Sequence, residues 1–172
     1  MMADKRVHSV PTLIPYFYIF DLAGGYFGST SRRFSFSKEA NLDVLRRMRA
    51  AGVKMAVGTD LVMRWFRYLP TAYIHELELF VEGGYSRSEA LVAATRNGAE
   101  ILGLEDKIGT IEPGKLADVL VVRGNPDEDL RALANVELVF RDGYLVVEDG
   151  RVHVPRHVPE AEPTPGGSGE WR

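Results

Sequence analysis

Asp60 is the residue with the clearest chemical potential. It closes the run Met55-Ala56-Val57-Gly58-Thr59-Asp60, after which the chain becomes apolar again at Leu61. A carboxylate at the carboxyl end of a buried strand can bind a divalent metal, or take a proton from a metal-bound water and pass it to a leaving group. Gly58 lets the backbone pass close to neighbouring groups, and Thr59 can orient the carboxylate by a hydrogen bond. Read from the local pattern alone, an aspartate that caps the following turn suits it better, because Gly-Thr-Asp by itself is a weak motif.

Other reactive side chains are sparse. Arg64 and Arg67, interleaved with Trp65, Phe66 and Tyr68, can bind a carboxylate or stack on a substrate, or the loop can simply pack on its own aromatics. The histidines are His8, His75, His153 and His157. No pair has H-x-H or H-x-x-x-H spacing on a regular element, because Pro155 interrupts the stretch between His153 and His157. Those two read as exposed tail residues, and His8 as preceding the first strand at its amino end. His75 either lines a pocket or is a polar helix position. Glu76, Glu78 and Glu82 read as a solvated face. Without cysteine there is no disulfide, thiolate metal site or cysteine nucleophile, and any metal needs nitrogen and oxygen ligands. G-x-S-x-G, Walker and G-x-G-x-x-G motifs are absent.

The elements that must position these residues follow from periodicity and caps. Residues 10–20, rich in β-branched and aromatic types, read as a buried strand running into a loop. Ser37 caps a helix over 38–51, with Leu42, Leu45 and Met48 on one face and Gly52 as its stop. Residues 53–60 form a second strand, so the order is strand, helix, strand, the grammar of parallel α/β folds. A helix over 71–82 carries Ile74, Leu77 and Val81 on one stripe and ends at Gly83-Gly84. Ser86 and Glu89 make the capping box of a helix over 87–102 that Gly103 terminates. From Ile108 the pattern turns to antiparallel β, with Pro113-Gly114 in a turn and Asp142-Gly143 at a two-residue hairpin. The domain expectation is therefore 1–104 as α/β, 105–150 as a β segment, and 151–172 as a Pro/Gly/Glu-rich disordered tail.

The 172 residues are 45% hydrophobic with a net charge of −3, a globular composition of about one domain that lacks the basic excess of a nucleic-acid binder. Small molecules are the expected partners. The apolar stretch Val10 to Phe20 follows Lys5 and Arg6 as a signal core would, but Pro11, Pro15 and Asp21 break it. No run reaches the ~20 apolar residues of a membrane helix. With no cysteine, a cytoplasmic setting is the expectation.

Four stretches taken together resemble the carboxyl-terminal part of the amidohydrolase superfamily, in particular its imidazolonepropionase-like and metal-dependent prolidase-like group. They are VPTL (10–13), AGVKMAVGTD (51–60), residues 76–122 from ELELFVEGG to LADVLVV, and VELVFRDGYLV (136–146). The resemblance implies α/β architecture: the last two β/α units of an incomplete (β/α)8 TIM barrel, plus the carboxyl-terminal share of a small β-sandwich. Residues 10–14 then match strand seven and 53–60 strand eight. It implies hydrolysis of an amide or related C–N bond in a small-molecule, dipeptide-like or cyclic amide substrate. It also implies a divalent metal, zinc foremost, with Asp60 as metal ligand and proton shuttle, and Arg64, Arg67 and His75 as substrate-binding candidates.

The family's other metal ligands, an H-x-H, a bridging lysine or carboxylate, and two further histidines, have no counterpart in the sequence. One carboxylate cannot hold a catalytic zinc, which takes three protein ligands plus water. A (β/α)8 barrel needs about 250 residues, and two strands leave edges unpaired. The expectation is thus a chain inactive and without tightly bound metal by itself, which self-associates or needs a complementing chain. The alternatives are a non-catalytic interaction module or one subunit of a split hydrolase.

Overall fold

A computed structural model describes residues 2, 4–5, 7–17, 37–61 and 69–153 of the chain. Two short segments run parallel at its centre. Ser9 donates its N–H to the Lys54 carbonyl and accepts from the Ala56 N–H, each at 3.0 Å, so Ser9 and Met55 form a parallel bridge. Among the described residues, ladder pairing between these two segments is confined to that bridge. The expected strand over 10–20 is not continuous, because Ile14–Phe17 coils into a single helical turn, α1. Pro15 suits the start of a helix, where its missing N–H is not needed, and the chain bends there instead of extending. Residues 18–20 lie outside the described residues.

Helix α2, Lys38–Ala50, begins as its sequence dictates: the Ser37 hydroxyl accepts from the Ala40 N–H at 3.1 Å. Its buried residues are Leu42 and Leu45. Helix α3, Thr71–Glu82, is the hub, touching α1, α2, the following helix and a later 3-10 turn. It buries Ala72, Ile74, Leu77, Leu79 and Phe80, a face wider than the stripe read from the sequence, because neighbours surround it. Where α3 ends, a side chain at Gly83 would collide with Leu45, so the glycine sets how closely α2 and α3 approach.

The stretch 87–102 is two helices rather than one. Helix α4, Arg87–Ala94, starts on the full capping box: Ser86 Oγ accepts from the Glu89 N–H, and Glu89 Oε2 accepts from the Ser86 N–H. At Thr95 the backbone leaves helical geometry (φ −123°, ψ −86°), and α5, Arg96–Leu102, restarts. The break frees polar groups for the second central segment. Ala93 O accepts from the Val57 N–H at 3.2 Å, and Asn97 Nδ2 donates to Met55 O at 2.7 Å. In an extended segment alternate residues address opposite edges, so 54 and 56 face Ser9 while 55 and 57 face the helix break. On the edge at 55 and 57, expected to be unpaired, the Met55 carbonyl and the Val57 N–H thus find partners within the chain. Gly109 packs on the same break, where a Cβ would lie 2.6 Å from that of Ala99.

Beyond residue 118 the chain forms a four-stranded antiparallel meander: β1 (Val119–Val122), β2 (Val136–Arg141), β3 (Tyr144–Glu148) and β4 (Arg151–Val152). Asp142 and Gly143 have φ of 50° and 78°, the positive pair of a tight hairpin closed by Arg141 and Tyr144. Asp149 and Gly150 repeat the device at 45° and 75°, bringing Arg151 opposite Glu148. Residues 151 and 152, assigned from sequence to the tail, are therefore paired. The 3-10 turn Leu130–Ala134, between β1 and β2, inserts Leu130 into the core formed by α1 to α4. Among the described residues there is one sheet, and no helix is long and apolar enough to cross a membrane.

Replacing Asn97 by Ala leaves the buried Met55 carbonyl without its side-chain donor. Urea unfolding of this variant should show a loss of about 1–3 kcal/mol, read as a lower midpoint at unchanged slope.

Candidate functional site at the ends of the paired segments

The two central segments are parallel, so their carboxyl ends lie on the same side. At that end the side chains of Val10 and Thr12 close on Gly58, where an added Cβ would stand 2.5 Å from Val10 Cγ1 and 3.4 Å from Thr12 Cγ2. The glycine expected from sequence to permit close approach does so, with the first segment as its neighbour. Both ends then turn through left-handed backbone, Thr12 at φ 47° and Asp60 at φ 43°. Aspartate tolerates that region; a β-branched threonine does not, and holding it there costs on the order of 1–3 kcal/mol. Asp60 is exposed, whereas Leu61 after it is buried.

The two residues that follow Thr12 are bound by Glu76. Its two oxygens accept from the successive N–H groups of Leu13 and Ile14, at 2.8 Å and 2.6 Å. The side chain is fully buried, at 0% exposure, which corrects its assignment to a solvated face. Glu78 and Glu82 do lie at the surface, paired with Arg131 at 3.1 Å and Lys38 at 2.8 Å. The signal for Glu76 was in the helix period: Ala72, Glu76, Leu79, Phe80 and Gly83 recur at spacings of three and four, and Glu76 is the polar member of a packed stripe. Burial pushes its carboxyl from 4.5 up to about 7, against the opposing pull of the two backbone N–H groups. The adjoining Tyr73 phenol is raised by its own burial and then by the Glu76 charge.

His75 stands next to Glu76 in α3, half-buried, with its ring edge-on to Phe17 at 4.3 Å between centroids. Lys38 Nζ lies 5.8 Å from the centre of the same Phe17 ring. His75 therefore faces α1. His8 is exposed beside Ser9, and exposed His153 reaches Glu148 at 3.7 Å. Arg64, Arg67 and His157 lie outside the described residues. Among the described residues no three His, Cys, Asp or Glu side chains are grouped to hold a metal ion. Asp60 alone does not fit one.

The amidohydrolase family model matches residues 30–146, more than half the sequence. The chain belongs to the amidohydrolase family. This family member is 36% identical over 126 residues to a 5-methylthioadenosine/S-adenosylhomocysteine deaminase of Desulforudis audaxviator, covering 62% of the chain and 29% of that relative. It is 32% identical over 147 residues to an imidazolonepropionase of Rhizorhabdus wittichii, covering 83% of the chain and again 29% of the relative. Among solved structures it is similar to a Xaa-Pro dipeptidase with methionine bound in its active site, with a TM-score of 0.73 and 32% identity over 84% of the chain and 35% of the dipeptidase. The amidohydrolase chain thus spans about a third of the length of the relatives it matches.

A carboxyl group whose folded pKa is raised binds more protons folded than unfolded. Its stabilising contribution is complete below about 4.5 and is lost as pH rises through about 7. Urea unfolding between pH 5 and 8 should show stability falling with rising pH, by on the order of 3 kcal/mol from this group. Glu76→Gln should remove that dependence.

Proposed function

We propose that this amidohydrolase chain supplies the carboxyl-terminal part of a hydrolase acting on an amide or related C–N bond, as the last two β/α units of a barrel and part of a small β-sandwich. The observation that carries this is the placement of Asp60 at the carboxyl end of a segment paired in parallel with its neighbour, within the region the family model matches. In α/β barrels that end is where loops assemble the reacting groups. The exposed Asp60 carboxylate is suited to take a proton from an attacking water and return it to the departing nitrogen. Its turn is left-handed, and Gly58 keeps the neighbouring strand end close.

The family resemblance adds a divalent metal, zinc foremost, with Asp60 as one ligand. The described residues furnish no other ligands around it, so no step is assigned to a metal within this chain. His75, with Arg64 and Arg67, are the substrate-binding candidates, and the names of the relatives favour a nucleoside, cyclic amide or dipeptide-like substrate. A complementing chain, or a second copy, would complete the barrel in a cytoplasmic setting.

The test is a chimera in which residues 7–153 replace the matching stretch of the Rhizorhabdus imidazolonepropionase. The chimera should hydrolyse the substrate of that enzyme, and Asp60→Asn within it should lower kcat by about 10²–10⁴-fold. Equal turnover of the chimera and its Asn variant would remove Asp60 from the chemistry.

A further inference from the structure

We propose that Glu76 is the positioning residue of this site: its carboxyl group fills the pair of N–H groups that left-handed Thr12 turns inward, and so holds the end of the first segment against Gly58, two residues before Asp60. Three observations converge on this. Both Glu76 oxygens are engaged, on consecutive backbone donors more than sixty residues away in sequence. Thr12, immediately before those donors, has φ 47°, a conformation that a threonine does not adopt unaided. And Val10 and Thr12 are the residues that close on Gly58.

The causal order follows from chemistry. Two neighbouring buried N–H groups are costly unless an acceptor meets them, and here both are met by the Glu76 carboxyl. The acceptor is carried by α3, the helix that touches α1, α2 and α4. Glu76 thereby transmits the position of the helical layer to the strand end that flanks Asp60. As a catalytic-site device this rests on the hydrolase reading above, but as a statement about Thr12 it does not.

Hydrogen exchange on the intact chain separates the two. The Ser9 and Ala56 amides bond across the central pair and do not touch Glu76. In Glu76→Gln, the side chain turns an NH₂ toward one of the two donors, and exchange at Ser9 and Ala56 should quicken at least tenfold relative to the sheet amides of Leu138 and Val139. Glycine adopts positive φ without strain, so adding Thr12→Gly should return Ser9 and Ala56 to near wild-type protection. A uniform rise across the chain, or no recovery with Thr12→Gly, would overturn the proposal. If Glu76→Gln fails to fold, the Thr12→Gly/Glu76→Gln chain decides: folded and protected at Ser9 and Ala56 supports the lock, unfolded refutes it. Loss of activity in the chimera would leave these exchange results standing.

Discussion

The structure depends on one buried carboxyl group. Taking Glu76 out of water opposes its charge, while two backbone donors at 2.8 Å and 2.6 Å favour it, and the carboxyl is left titrating at about 7. Because each oxygen has its donor, the group is tolerated in a core of Ile14, Leu42, Leu77 and Phe80. It is also directional in a way that apolar packing is not. Leucine at 76 could fill space against α1; it could not specify where Leu13 and Ile14 point. The parallel pair, the approach at Gly58 and the exposed Asp60 all lie downstream of that specification.

The same accounting of polar groups extends to the two edges of the second paired segment. One edge of 53–57 is met by Ser9, and the other by Ala93 O and Asn97 Nδ2 at the interruption between α4 and α5. The helix is broken where the edge needs partners. Gly109 admits the following loop to the same place, which ties the β half of the chain to the helical layer, as Leu130 does from the 3-10 turn. The sheet is differently placed: its strand residues are half-buried or exposed, with Val152 at 75%, so its faces are less covered than the helical core.

Features governed by neighbours in sequence were legible. The Ser37 cap, the Ser86 and Glu89 capping box, the extent of α3 and the Asp142-Gly143 hairpin each need only a few adjacent residues, and each stands where the sequence puts it. Features governed by distant partners were not. Thr95 breaks a helix whose local pattern is continuous, because residues 55–57 compete for its polar groups. Residues 14–17 coil although their composition favours strand, because Pro15 and the acceptor at Glu76 reward a bend. Glu76 itself was misread through its neighbours Glu78 and Glu82, although its spacing from Ala72 and Phe80 marked it as inward. The family was legible from the resemblance; the position of Asp60 at a paired segment's end was expected, and its chemistry needs groups that lie beyond this constellation.

The most direct test of this account is a carbon-detected titration of the Glu76 side-chain carboxyl in the intact chain, followed together with the amide protons of Leu13 and Ile14. The carboxyl should titrate with a midpoint near 7, and both amides should shift with that same midpoint because they donate to it. Leu13 and Ile14 amides that stay unresponsive while the Glu76 carboxyl titrates would contradict the claim that this buried carboxyl holds the strand end in place.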